Sequence, residues 1–321
     1  MASRKIRGRR RRGRRRRRAS LGAMSHPDAP PLDARREGFL AGAVIGAALA
    51  ARTAAGDATT NRGAMDPLSP PGRRHAAVAL GAGLLEALPS GGVDLRRLAG
   101  RWVEWSRSDG HGADPALVQA LDHLAEFDAP APALAHAGAA AVAAALPAAL
   151  AAASPRAMVS GAFHTARLVD PDPAGGLAAV AVVVAAARLL EGSRDFLPDV
   201  LGLLRANNAD EEFFARFRAI AADPRNEPPR PTGTSVRASV VAVWVLWQVQ
   251  HRPRGVEALR ALGTHRDLNG YAGAALGALL GARDGIADWP REWIDGAGED
   301  VVLRCAAAGR LAMTERVMGD G

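Results

Sequence analysis

Cysteine, lysine, tyrosine and long hydrophobic runs are all scarce in this sequence. Cys305 is the only cysteine among 321 residues, which excludes an intrachain disulfide. It lies in an apolar helical stretch away from any plausible general base, and we interpret it as a small buried hydrophobic residue. The longest uncharged apolar stretches, residues 177–187 and 137–153, are too short or too weakly hydrophobic to cross a bilayer. The sequence therefore predicts a soluble, cytoplasmic protein that makes no membrane contact.

Aromatic residues make up only 4% of the chain, and the apolar residues, 48% of the total, are mainly Ala, Val and Leu. Such a composition favours helices, because β-branched runs are short and good helix formers dominate. The length is sufficient for one large domain with a sizeable core. We therefore expect an all-α fold.

Basic residues are concentrated at the N-terminus. Residues 1–23 hold twelve of the 41 basic residues and none of the 33 acidic ones, so the rest of the chain has a net charge of −4. Only this basic segment is expected to bind nucleic acid, through counterion release. No apolar region follows it, which argues against a secretory signal. We expect residues 1–34 to be a disordered basic and Pro-rich segment, and translation starting at Met24 is the alternative that would remove residues 1–23.

Helical patterns follow from Arg35 onward, and residues 35–321 are predicted to form one domain. Helices are expected over residues 38–51, 75–88, 98–105, 115–127, 177–190, 239–249 and 270–282. Gly42 and Gly46 share one face of the first helix, where a partner helix can approach closely. Asp114 is placed as an N-cap. The 177–190 helix is apolar on nearly every side and should lie in the middle of the bundle.

Several segments, in this order, resemble one known family. They are the glycine-spaced helix at 42–49, the helix at 78–86, Leu-Val-Asp-Pro-Asp-Pro at 168–173, Gly-Ala-Leu-Leu-Gly-Ala-Arg at 277–283, and Trp-Pro-Arg-Glu-Trp at 289–293. Together they resemble the ADP-ribosylglycohydrolase family, also called DraG-like or ARH-like. The resemblance implies an all-α domain with two magnesium ions in a central cleft and hydrolysis of ADP-ribose from modified protein side chains.

The segments that hold magnesium in that family have changed here. At the family's Thr-Asp-Asp-Thr motif the two carboxylate positions fall on Gly72 and Arg73, which inverts the local charge and would repel a metal. At the second carboxylate cluster, an ungapped count back from Gly277 places Leu268-Asn269-Gly270 on the family's Asp-Xaa-Asp positions, whereas a one-residue shift places Asp267 and Asn269 on the two carboxylate positions. These two are the metal-site candidates, and capping of the following helix is the alternative.

Three further residues are candidates for binding a ligand. Asp109 and Gly110 keep part of the family's Asp-Xaa-Gly turn, although backbone geometry explains such a turn equally well. Asp170 replaces the histidine of the family's Thr-His-Pro-Asp-Pro segment. No catalytic residue is assigned.

The resemblance and the lost ligands leave three functions open. The prediction is a catalytically degenerate ADP-ribosylglycohydrolase-like protein that retains binding of ADP-ribose or a nucleotide. The first alternative is an active, divergent hydrolase that uses carboxylates at Asp57, Asp66, Asp109, Asp170 and Asp267. The second alternative is a structural helical domain that binds a partner protein. We expect an ADP-ribose-like small molecule or an ADP-ribosylated protein as partner, and no cofactor, with magnesium only if the dimetal site is partly retained.

Overall fold

The computed structural model describes residues 26, 28–54, 76–87, 93–110, 113–130, 137–152, 154–222, 224–233, 236–262, 268–287 and 289–297. Over these residues the chain forms fourteen helices. They are α1 Leu32–Ala54, α2 Ala76–Glu86, α3 Leu95–Ser108, α4 Pro115–Phe127, α5 Gly138–Ala145, α6 Ala148–Ala151, α7 Pro155–Val169, α8 Pro173–Leu190, α9 Leu197–Ala206, α10 Glu211–Ala219, α11 Ala238–His251, α12 Gly255–Leu262, α13 Gly270–Asp284 and α14 Arg291–Ala297. In that part of the chain, the only β pairing is a single bridge between Thr232 and Leu268. The all-α fold class is therefore confirmed.

Helices α1 and α13 run antiparallel in direct backbone contact. Three glycine pairs form the contact: Gly38 with Gly281, Gly42 with Gly277, and Gly46 with Gly273. A Cβ atom on any of the six would collide with the carbonyl oxygen of its partner. The close approach expected at Gly42 and Gly46 is confirmed, and its partner is the second glycine-rich helix.

Helix α8 forms the centre of the bundle and packs against α5, α7 and α11. It begins four residues earlier than expected, because Asp172 accepts a hydrogen bond from the N–H of Ala174 (2.9 Å) and Pro173 fits the first helical turn. Its 18 residues are long and apolar enough to span a membrane by length and composition, which corrects the estimate from the shorter stretch 177–187. Within the protein 72% of this window is buried, as expected for a central helix.

Helix α1 is longer than the sequence indicated at both ends. It begins at Leu32, so residues 32–34, which were assigned to the disordered segment, are helical. The helix therefore extends by nearly two turns beyond Gly38 toward the N-terminus, and it brings the residues before it close to the C-terminal end of α13. Gly285 lies next to Pro30 at this end.

Candidate functional site

The last turns of α1 and the first turns of α4 and α13 meet at one place, which we call the α1–α4–α13 junction. Antiparallel packing puts Gly46 against Gly273, so the start of α13 lies beside the C-terminal part of α1. The start of α4 joins them, because the main-chain N–H of Asp114 donates to the hydroxyl oxygen of Tyr271 (3.4 Å). The resemblance places the second carboxylate cluster here, immediately before α13.

Asn269 is the N-cap of α13. Its side-chain oxygen accepts from the N–H groups of Tyr271 (3.0 Å) and Ala272 (3.3 Å), and its side-chain nitrogen donates to the carbonyl of Gly233 (2.9 Å). Both ends of the amide are therefore already used in holding the helix and the preceding loop. A metal ion at Asn269 would have to compete with two backbone donors for the same neutral oxygen.

Asp114 and Tyr271 form a buried pair that the sequence did not reveal. Asp114 is 8% exposed, and its Oδ1 accepts from the N–H of Leu117 (2.7 Å), which confirms the predicted N-cap. Its Oδ2 is buried and has no hydrogen-bond partner within the described part of the chain. Burial raises the pKa of Asp114, against the opposing effect of backbone hydrogen bonds from Leu117 and Ala116. Burial also raises the pKa of Tyr271, and the Asp114 carboxylate adds to that shift.

The sequence offers one indication that Tyr271 is special: it is the only tyrosine of the chain, and it directly follows the first glycine of α13. The aromatic ring is 2% exposed. Its partner Asp114 is separated from it by 157 positions, so no local pattern connects the two.

Asp109 and Gly110 form the turn that ends α3. The N–H groups of both donate to the carbonyl of Trp105 (2.9 and 3.0 Å). Gly110 has a φ of 51°, and a Cβ there would lie 2.7 Å from the carbonyl oxygen of Ser106. The glycine is therefore required by the turn itself. The Asp109 side chain is exposed to solvent.

Asp170 is a buried carboxylate in the turn between α7 and α8, and it is 3% exposed. Its Oδ1 accepts from the N–H of Asp172 (3.2 Å), which in turn caps α8. A Cβ at Gly175 would lie 2.5 Å from Asp170 Oδ2, so the glycine leaves room for the carboxylate. These contacts are those of a residue that organises the turn.

The described residues of the junction do not fit the two-magnesium site that the resemblance implies. Two divalent cations require several ionised oxygen ligands. Among the described residues of the junction, Asp114 supplies one carboxylate, and Asn269 is committed to its helix. Across the described ranges, no three Asp, Glu, His or Cys side chains come together in a way that would hold a metal. Outside those ranges lie Gly72 and Arg73 and three acidic candidates, Asp57, Asp66 and Asp267.

Comparisons with known proteins agree with this architecture. A family model described as ADP-ribosylglycohydrolase matches residues 28–320. A solved structure titled "ADP-ribosylglycohydrolase-related protein complex" is similar with a TM-score of 0.66, over 88% of this chain and 99% of that chain. Its sequence identity is 19%, so this likeness shows the fold alone. No curated protein matches.

Proposed function

The chain belongs to the ADP-ribosylglycohydrolase family, and from this premise we propose that it is a catalytically degenerate member. In this proposal it retains the helical scaffold and binds an ADP-ribose-like ligand at the α1–α4–α13 junction, without the two-magnesium centre of its relatives. A scaffold and its chemistry can separate in this way, since function depends on a few side chains and the fold on many.

The capping role of Asn269 is the observation that carries the proposal. In the register shifted by one residue, which places Asp267 and Asn269 on the family's Asp-Xaa-Asp motif, this position is that of a metal-binding carboxylate. Here it is a neutral amide that is 6% exposed, and its oxygen accepts from Tyr271 and Ala272 at the start of α13. The loss of a carboxylate at this cluster parallels the replacement of both carboxylates at the other cluster by Gly72 and Arg73.

The same replacements favour an anionic ligand. Arg73 stands on one of the family's two carboxylate positions, with Arg74 beside it, and a diphosphate would be attracted where a cation is repelled. ADP-ribose carries a diphosphate, so its charge suits this arrangement.

Calorimetric titration of the full chain tests the proposal. We expect ADP-ribose to bind in the presence of EDTA, and Mg²⁺ or Mn²⁺ alone to give no binding heat. Arg73→Glu should weaken ADP-ribose binding, whereas the matched charge reversal Arg218→Glu, at an exposed position on α10, should leave it unchanged.

Two outcomes would refute the proposal. Binding of two metal ions, together with release of ADP-ribose from a modified arginine or serine peptide, would show an active hydrolase that takes its ligands from elsewhere in the chain. An absence of response to both metal and ADP-ribose would leave only the role of a structural or partner-binding domain.

A further inference from the structure

We propose that a pocket lined by arginines and distant from the junction binds a small organic phosphate. The arginine pocket has a volume of about 540 Å³, and it lies between the N-terminal end of α12, the C-terminal end of α13 and the residues that precede α1. Its lining includes Arg194, Arg254, Arg260, Pro30, Val256 and Trp289. This volume is within the usual range for small-molecule sites.

The arginine pocket is separate from the α1–α4–α13 junction. Helix α13 has 15 residues, with Asn269 and Tyr271 at its start and Asp284, which lines the pocket, at its end. At 1.5 Å per residue the two ends are about 20 Å apart. A ligand in this pocket therefore does not touch the residues of the proposed ADP-ribose site, and the inference does not depend on that proposal.

The charges lining the pocket leave two arginines available for an anion. The pocket has three carboxylates, but that of Asp284 is held by Arg283 through two contacts of 2.7 Å and accepts from the N–H of Gly255 (2.9 Å). Arg194 is 3.9 Å from Asp284, at the limit of an ion pair. Arg260 is exposed and has no acidic partner in the described part of the chain.

The other two carboxylates compete only weakly for these arginines. Glu257 forms an exposed ion pair with Arg254 (3.3 Å), three positions earlier in the chain, and the Asp28 side chain is 85% exposed. Solvent screens such charges strongly. Neither Arg194 nor Arg260 is therefore held in a close ion pair with a carboxylate of the pocket lining, and both can bind an anionic ligand. Their planar guanidinium groups suit phosphate oxygens.

The backbone and the apolar lining define the ligand further. Val256 and Glu257 are in the first turn of α12, where N–H groups have no acceptor within the helix, and both residues line the pocket. Pro30, Pro253 and Trp289 supply an apolar wall that a bare phosphate ion would not use. We therefore assign the site to a phosphate ester with an organic part of about nucleotide size.

Titration of the full chain with AMP, adenosine and inorganic phosphate at physiological salt tests this assignment. We expect AMP to bind more tightly than either of its parts. Arg194→Ala and Arg260→Ala should each weaken AMP binding roughly tenfold, because each removes one charged contact to phosphate. Arg218→Ala, an exposed arginine on α10 outside the pocket, is the matched control and should bind AMP like the parent. All these proteins carry the same arginine-rich N-terminus, so its contribution cancels in the comparison.

The proposal is overturned if AMP does not bind, if inorganic phosphate binds as tightly as AMP, or if both pocket variants bind AMP like the parent. Thermal unfolding of the variants separates loss of binding from loss of folding, and Arg260→Ala should fold normally because the side chain is exposed and has no acidic partner among the described residues. Titrating the variants of each site with AMP distinguishes the two sites. Loss of AMP binding in Arg260→Ala but not in Arg73→Glu assigns AMP to the arginine pocket, whether or not ADP-ribose binds at the junction.

Discussion

Replacing Gly42 by Ala should destabilise the protein by about 2 kcal/mol, although the substitution favours an isolated helix. In a helix interior, alanine stabilises the helix by about 1 kcal/mol relative to glycine. The new Cβ, however, would collide with the carbonyl oxygen and carbon of Gly277, and its third neighbour is the Trp289 ring at 3.1 Å. Backbone atoms cannot change rotamer, so α1 and α13 must move apart. Overpacking of this kind costs about 3 kcal/mol at the upper end of the usual range.

The separation would also affect the flanking contacts, since Gly38 with Gly281 and Gly46 with Gly273 are on the same pair of helices. Urea unfolding followed by circular dichroism measures the change, and a loss of 2 kcal/mol corresponds to a fall of several degrees in Tm. Gly100→Ala and Gly202→Ala are matched controls in α3 and α9, because a Cβ there meets nothing within 4 Å. Both should stabilise the protein by about 0.5–1 kcal/mol. If Gly42→Ala is as stable as these controls, the direct backbone contact between α1 and α13 is wrong.

Two further substitutions test individual buried groups. Asp114→Asn keeps an N-cap but removes a carboxyl whose pKa is raised by burial, so the stability that Asp114 contributes is present below pH 3.8 and declines as the pH rises through its folded value. The asparagine variant should therefore gain stability relative to the parent between acidic and neutral pH in urea unfolding, and a pH-independent difference would contradict the shift. Arg283→Met should cost about 3 kcal/mol in the same assay, because it leaves the carbonyls of Val249 and Arg252 (2.7 Å each) without the guanidinium donor and removes the ion pair of Asp284, which keeps only the Gly255 N–H at close range. A loss below about 0.5 kcal/mol would mean that water replaces the guanidinium.

A strong apolar pattern predicts most of the helices that carry one, whereas cap signals are recognised only in part, since Ser154 and Pro155 begin α7 just as Asp114 and Pro115 begin α4. Helix α4 begins and ends where expected, because Asp114 and Pro115 fix its first turn. Helices α5, α6, α7, α9, α12 and α14 were not predicted. In α7, glycine, threonine and β-branched residues weaken the local preference, and the helix depends on its contacts with α5 and α8. Tertiary packing outweighs helix propensity in such segments.

The candidate site was less accessible to prediction than the fold. Asn269 was proposed as a metal ligand or a cap, and only the positions of the Tyr271 and Ala272 N–H groups identify it as a cap. For Asp170, the resemblance supplied a ligand-binding role, whereas the structure places its carboxylate within the α7–α8 turn. A carboxylate in sequence has the same appearance whether it faces a ligand or a backbone amide.

The sequence by itself determined the helical class, the Asp114 cap and the glycine spacing, because each depends on residues within one or two turns of each other. Tertiary structure alone decided that the glycine face of α1 meets α13, that Asp114 pairs with Tyr271 across 157 positions, and that residues from four separate segments surround the arginine pocket. These contacts bring together parts of the chain whose local patterns carry no information about one another. Their pairing is set by which surfaces fit closely enough to exclude water from a common core.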